Sequence, residues 1–379
     1  MVCYEHRVSA PTVALDVTPL IGVRTGIANA VAATFAALMT NVDPPIVEPY
    51  ALSLRAREHR SDVPDSTHFP PIPARLAIRS WARSEWPRID RWLGGADVLH
   101  ATNYLTPPSR LPTVVTIHDC AFVRYPELAS AEVRALEPVV RRAIRRGAIV
   151  HTPSEFVAQE VDEIFGSGLR RGGRIVVIPW GIPAVFPDLG LSEAIATRIG
   201  ARPFVLSLGT LEPRKNLPHL VAAFGRFAHE HVDALLVIAG PDGTASRSVA
   251  DATTRLPDDV ASRVIRIGTV DDRDRSALLH RARTLAYPSI SEGFGFPVLE
   301  AMIAGTPVVA ARAGSIPEIA GDAALLVDAT DEEALASALD AVFRTDTGDD
   351  LAVRGRRRAE RYDWSVTANG LLDLYRQLA

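Results

Sequence analysis

Short runs of β-branched and other apolar residues alternate with longer amphipathic segments along the whole chain. This is the pattern of parallel strands joined by crossover helices. In the first half, strands are expected at TVALDV (12–17), IVEPYAL (46–52), DVLHAT (97–102), TVVTIHD (113–119), AIVHTP (148–153) and RIVVIP (174–179). In the second half they are expected at FVLSLG (204–209), ALLVIAG (234–240), RVIRIG (263–268), TLAYP (284–288), PVVAA (307–311) and AALLV (323–327). Six strands per half, none joined by a tight hairpin signal, indicate two doubly wound, Rossmann-like α/β domains rather than one large sheet. Prolines and glycines interrupt the periodicity at WGIPAVFPDLG (180–190), which divides 1–182 from 183–363. The last segment, WSVTANGLLDLYRQLA (364–379), has helical apolar spacing and is expected to dock a closing helix on one domain. A polar stretch with clustered prolines at 55–73 reads as a flexible loop of the first domain.

Composition narrows the class. A chain of 379 residues with 47% hydrophobic and 23% charged residues can bury two sizeable cores. No secretory leader pattern opens the sequence, and no run approaches the ~18 apolar residues of a membrane span, so a cytoplasmic location is expected. Two cysteines, Cys3 and Cys120, exclude a disulfide framework and any CxxC pair. Residues 1–180 hold 20 basic and 18 acidic groups against 21 and 27 in the remainder, so neither half has the charge of a nucleic-acid binder. The only lysine among 41 basic residues is Lys215.

Candidate chemistry gathers where strands end and helices begin, because helix N-termini there present N–H groups and positive partial charge to anions. The stretch YPSISEGFGFPVLEAMIAGTPVV (287–309) carries two acids, Glu292 and Glu300, in an otherwise apolar setting. Gly293 and Gly295 allow backbone to approach a ligand closely, and Pro297 suits a first helical position. Glu292 would face that ligand from the loop and Glu300 from one turn into the helix, as acceptors for hydroxyls. The alternative is a capping Glu292 and a solvated Glu300. At GTLEPRKNLPHLVAAF (209–224), Arg214 and Lys215 stand together where phosphate charge could be met; a solvated pair at a turn is the competing reading.

Weaker signals follow. Gly22 and Gly26 precede a helical run and could cradle a phosphate, without GxGxxG spacing. His118 ends an apolar strand, where it could donate to a developing charge or hold a hydroxyl, and Cys120 would share its strand face. Asp272-Arg273-Asp274 reads as a helix start rather than a metal site. HEHVD (229–233) has diverging histidines, and Walker, GxSxG, HExxH and zinc patterns are absent. The arginine-rich, tryptophan-bearing segment 75–92 is a solvated face that could also touch an anionic membrane surface.

EGFGFPVLE (292–300), GTLEPRKN and the first glycine loop together resemble the retaining glycosyltransferases of family 4, over nearly the whole chain. The resemblance implies a GT-B fold, with the two domains facing each other across a cleft and the last helix crossing back to the first. It implies a nucleotide-diphosphate sugar as substrate, with Arg214 and Lys215 on the diphosphate and Glu300 on the ribose hydroxyls. Glu292, Gly293, Phe294 and Gly295 would orient the sugar and phosphate, and the loop ending at Val270 would meet the base. His118 would lie by the donor sugar and Gly22 to Gly26 by the phosphates or acceptor. His118, Arg214, Lys215 and Glu292 are thus the implied catalytic residues, with no metal and no cofactor. Thr210 stands where many relatives place an arginine, a departure that resembles a subgroup of mannosyltransferases of bacterial surface glycans and leaves the diphosphate to Arg214, Lys215 and helix N-termini. GTLEPRKNLP and HATNYLTPP (100–108) resemble mannosyltransferases and favour GDP-mannose. UDP or dTDP sugars are the alternative donors, and a glycan, lipid-linked or other hydroxyl is the acceptor. A nucleotide-sugar epimerase of the same shape and a non-catalytic donor-binding protein are the competing classes.

Overall fold

A computed structural model of the chain describes residues 10–22, 26–53, 60–183, 185–344 and 346–379. The described residues form two compact units. One comprises those up to Gly181 together with Asp363–Ala379, and the other is Ile182–Tyr362. All twelve expected strands form, each one to three residues shorter than its apolar run.

The first unit is built on β1 (Thr12–Asp16), β2 (Ile46–Tyr50), β3 (Val98–Ala101), β4 (Thr113–Thr116), β5 (Ile149–Thr152) and β6 (Ile175–Val177). They lie parallel in the order β2-β1-β3-β4-β5-β6, with Val13 opposite both Val47 and Val98. The chain moves outward from β1 to β2, then returns to place β3 on the other side of β1. The crevice between β1 and β3 is therefore the point where the winding reverses. The central strands β1, β3 and β4 are buried along almost their whole length, as in a sheet covered on both faces, while the edge strand β2 is partly exposed.

The helix Trp364–Leu378, capped by Asp363 accepting from the Ser365 N–H at 2.6 Å, belongs to this first unit. Its Ala368, Leu371, Leu374 and Tyr375 join Val13, Leu15, Val98 and Val114 in one buried cluster. Each of the valines and leucines contributes roughly 1.5–3 kcal/mol by leaving water. A buried polar chain continues from the same helix. Tyr375 Oη lies 2.6 Å from His100 Nδ1, His100 Nε2 lies 2.8 Å from Thr116 Oγ1, and Thr116 Oγ1 lies 2.9 Å from His151 Nδ1. His151 Nε2 ends the chain 2.9 Å from the Ile178 carbonyl. A carbonyl can only accept, so His151 Nε2 donates, and because burial keeps this imidazole neutral its Nδ1 accepts from Thr116. Thr116 then accepts from His100 Nε2, and Tyr375 donates to His100 Nδ1. These directions hold because burial keeps both imidazoles neutral.

Residues 55–59 lie outside the described residues, and the rest of 55–73 is not the loose loop expected. His68 forms a parallel bridge with Tyr50, its N–H donating to Pro49 O at 2.8 Å, while Val63 and Ile72 are buried. The segment pairs with the C-terminal end of β2's free edge, where His68 N–H donates to Pro49 O and His68 O accepts from Ala51 N–H.

The second unit is built on β7 (Phe204–Leu208), β8 (Leu235–Ala239), β9 (Val264–Gly268), β10 (Thr284–Tyr287), β11 (Val308–Ala311) and β12 (Leu325–Val327), in the order β12-β11-β10-β7-β8-β9. Its winding reverses between β7 and β10. Helices Leu217–Phe227 and Glu332–Arg344 pack Leu220, Phe224, Leu335 and Leu339 against the sheet in one continuous core. Among the described residues, no helix is long and apolar enough to cross a membrane.

Candidate active site

The two strongest sequence signals meet at the reversal point of the second unit. The segment after β7 leads through a short turn at Pro213–Lys215 into helix Leu217–Phe227, and the segment after β10 leads into helix Phe296–Ala304. Neither helix has a side-chain N-cap. The second residue of each is a proline without an N–H, and the third donates to the N-cap carbonyl (His219 to Asn216 O at 3.1 Å, Val298 to Gly295 O at 3.0 Å), so it is the Leu217 and Phe296 N–H groups that are left for another acceptor. Gly295, at φ 98°, is the N-cap of the second, which makes Pro297 the second helical residue rather than the first expected. A Cβ at Gly295 would lie 2.6 Å from Ile316 Cδ1, so both backbone and space call for glycine there.

Between these helix starts, Lys215 Nζ donates to Glu292 Oε1 and to Tyr287 Oη, each at 2.7 Å. Arg214 Nη1 reaches the same Glu292 oxygen at 2.8 Å, while its Nε bonds Glu212 at 2.9 Å. The Lys215 and Glu292 side chains are 10% and 9% exposed, so two cations share one sealed carboxylate, whereas Glu212 is 41% exposed and largely screened. Burial alone would raise the Glu292 carboxyl; the charges of Lys215 and Arg214 overcome it and hold it at about 2. Burial pulls the Lys215 ammonium down, with Glu292 opposing and Arg214 assisting. Burial, then Glu292, keeps the Tyr287 phenol well above its usual value, so it remains a neutral hydroxyl. Lysine has three N–H donors and two are used here, which leaves one for a further anion.

The loop is fixed by its own backbone. Ile290 N–H donates to Arg214 O at 2.9 Å, tying the two segments together, and Ser315 N–H donates to Glu292 O at 2.9 Å. Ser315 Oγ donates to Phe294 O at 3.0 Å.

Glu300, one turn into the helix, is buried rather than solvated, and its partner is the Arg275 guanidinium. Arg275 and Tyr287 were not among the residues singled out from sequence. Tyr287 ends β10 inside the same motif, so strand alternation would have aimed it correctly; nothing in the local pattern around Arg275 marks it. Thr210 follows β7, half-buried, its carbonyl accepting from Glu212 N–H at 2.8 Å. Val270 lies half-buried just beyond β9. Gly293 and Phe294 are buried beside Glu292.

The remaining candidates belong to the first unit. His118 lies two residues beyond β4 rather than within it, buried, with Nε2 2.8 Å from Thr102 O and its ring stacked 5.9 Å from Trp180. Because a carbonyl accepts, Nε2 carries the proton and Nδ1 is the acceptor. Burial lowers its pKa to about 4. In that state Nδ1 can accept from a hydroxyl. Cys120 does not share a strand with it: the residue precedes the turn of helix Ala121–Arg124, and burial pushes the thiol far up, away from nucleophilic chemistry. Gly22 (φ 91°) and Gly26 flank residues 23–25, which lie outside the described residues. Asp16, not anticipated, is a buried carboxyl at the end of β1 raised to about 6 by burial. Asp272 and Asp274 do open a helix, Asp272–Arg281, capped by Asp271.

With this geometry in hand, the comparisons with known proteins agree with one another. Residues 43–186 match the family described as Glycosyltransferase Family 4, and residues 193–361 match Glycosyl transferases group 1. O-antigen chain mannosyltransferase B of Escherichia coli is 27% identical over 288 residues, 74% of each chain. Glycogen synthase of Mycobacterium tuberculosis is 30% identical over 305 residues, 74% of this chain and 68% of that one. Among solved structures, Anabaena HepE in complex with UDP and glucose aligns with a TM-score of 0.71 at 18% identity, covering 96% of this chain and 99% of that one, a likeness of fold. The chain belongs to the family 4 glycosyltransferases and is a transferase of GT-B fold.

Proposed function

We propose that the chain transfers a hexosyl group from a nucleotide-diphosphate sugar, with retention of configuration, to a glycan, lipid-linked or other hydroxyl acceptor. The observation that carries this reading is the cluster of buried Lys215 and Glu292 with half-buried Arg214 between two helix starts that lack side-chain caps. As the bond from sugar to diphosphate breaks, an oxocarbenium-like centre forms and negative charge collects on the departing diphosphate. Fixed cations in a water-poor setting stabilise charge that develops in this way. Glu292, held ionised, orients the cations and is placed to accept sugar hydroxyls, and Glu300 takes the ribose. Two protein cations and two helix N-termini supply the countercharge, so the reading needs neither metal nor cofactor.

GDP-mannose is the preferred donor. Its support is the Thr210 segment and the similarity to an O-antigen mannosyltransferase. UDP-glucose is the second reading, favoured by the UDP and glucose bound to the Anabaena neighbour. Exposed Leu76 and Trp86 amid exposed Arg79, Arg83, Arg88 and Arg91 fit contact with an anionic lipid surface, where a lipid-linked acceptor would be presented.

The test is thermal unfolding with GDP, UDP, dTDP and ADP, with and without EDTA. A ligand at ~100 times its Kd adds ~2.7 kcal/mol. Selective stabilisation by GDP, indifferent to EDTA, is expected. Stabilisation by UDP or dTDP transfers the donor assignment, EDTA sensitivity overturns the metal-free reading, and silence to all four overturns the donor site.

A further inference from the structure

The two acids of the 292–300 motif solve the same electrostatic problem with different partners. Glu292 has Lys215 and Arg214 from the loop after β7. Glu300 sits among Val298, Leu299, Ala301 and Met302, its side chain 6% exposed, and its ion-pair partner is Arg275 on a different helix. A carboxylate this enclosed needs a cation or several donors to remain charged.

The position of that cation is informative. Arg275 is the fourth residue of helix Asp272–Arg281, in the turn where the helix dipole disfavours positive charge. The helix is itself pinned: Asp274 accepts from Ser192 N–H at 2.7 Å and Ser276 Oγ accepts from Phe186 N–H at 3.1 Å. The guanidinium therefore projects from a fixed base. Its Nη2 engages Glu300 Oε2, and Glu300 Oε1 has no hydrogen-bond partner among the described residues. One oxygen is anchored and the other is presented.

We infer that Arg275 is a positioning residue for donor recognition: it fixes the Glu300 carboxylate so that its second oxygen accepts from a ribose hydroxyl of the nucleotide. The inference rests on the donor reading above and extends it to a residue outside the motif. Without Arg275 the carboxylate loses its anchor and its countercharge together, and the site no longer distinguishes a ribose from a sugar lacking the hydroxyl.

The experiment measures affinities for GDP, 2′-deoxy-GDP, UDP and 2′-deoxy-UDP in wild type and in Arg275→Ala, Arg275→Lys and Glu300→Ala, with steady-state kinetics on the matching donor. Hydrogen bonds to charged groups translate into a ribo/deoxy preference of roughly tenfold to a hundredfold in the wild type. Arg275→Ala is expected to bring that ratio towards one, raising KM more than it lowers kcat, and Arg275→Lys to restore part of it. A purely structural role would lower stability without moving the ratio. If Glu300→Ala loses the preference while Arg275→Ala keeps it, the inference on Arg275 is overturned and the donor reading stands. If Glu300→Ala also keeps it, the ribose assignment falls and the inference with it. Should Arg275→Ala not fold, Arg275→Gln carries the test, and an intact ratio there overturns the inference.

Discussion

Replacing Lys215 by alanine removes the buried one of the two cations that share Glu292 Oε1; Arg214 is half-buried. A unit charge about 4 Å from the charge on the departing diphosphate, at an effective dielectric of about 20, is worth about 4 kcal/mol. That corresponds to a loss of about a thousandfold in turnover. Donor affinity falls as well, because Glu292 is then held by Arg214 alone and its carboxyl rises from about 2. Lys215→Arg is not expected to rescue. The side chain already passes 3.3 Å from where a Cβ at Gly209 would stand, and its Nζ lies 4.5 Å from the Tyr287 ring centroid, so a planar guanidinium has little room. The assay is release of nucleoside diphosphate from GDP-mannose and UDP-glucose by each variant, with thermal unfolding to establish that the fold is intact. Turnover by Lys215→Ala close to that of wild type, in a protein that melts normally, would refute the assignment of this lysine to the departing charge.

Three further outcomes are expected. Acidification should weaken the first unit between pH 6.5 and 4. His118 and His151 are held near 4 by burial, so the unfolded chain binds protons first, and each contributes a loss of about 3 kcal/mol across that window. Asp16, raised to about 6, works in the opposite direction, so Asp16→Asn should steepen the fall; urea unfolding that is flat with pH would contradict this. Tyr375→Phe removes the donor to His100 Nδ1 and leaves a buried acceptor unpaired, for a destabilisation of about 1–3 kcal/mol in the same measurement. Gly295→Ala forces a side chain into the left-handed region, at a cost of about 1–2 kcal/mol, and should weaken nucleotide binding; unchanged melting and affinity would count against the close-approach argument.

The central strands were legible because buried parallel strands have no solvent face, so β7, β8 and β11 appear as nearly continuous apolar runs, whereas the edge strands β2 and β9 carry Glu48 and Arg266. The motif acids and the Arg214-Lys215 pair were legible because they are charged residues placed where strands end. The pairing between them was not, since Lys215 and Glu292 are brought together only by the order of β7 and β10 in the sheet. Arg275 was invisible for the same reason: its partner lies on a helix 25 positions further along the chain. His118 was recognised by type and place, but its accepting nitrogen follows from Thr102 O, a contact across two strands. The prolines of 60–73 correctly signal a break in regular structure, but the packing of this loop through Val63, Ile72 and the bridge to Tyr50 depends on distant residues and was not legible.

The docking of Trp364–Leu378 within the first unit has a consequence for biogenesis. The second unit is continuous in sequence and emerges from the ribosome complete, while the first lacks its last element until residues 182–362 have been made. At ~5–20 residues per second those roughly 180 residues occupy about 10–40 s. Throughout that interval the apolar side chains of β1, β3 and β4 that later meet Leu371 and Tyr375 stand uncovered, and His100 waits for its phenol. The half of the molecule translated first is thus the half that matures last, and this interval is when the nascent chain is most exposed to chaperones and to self-association.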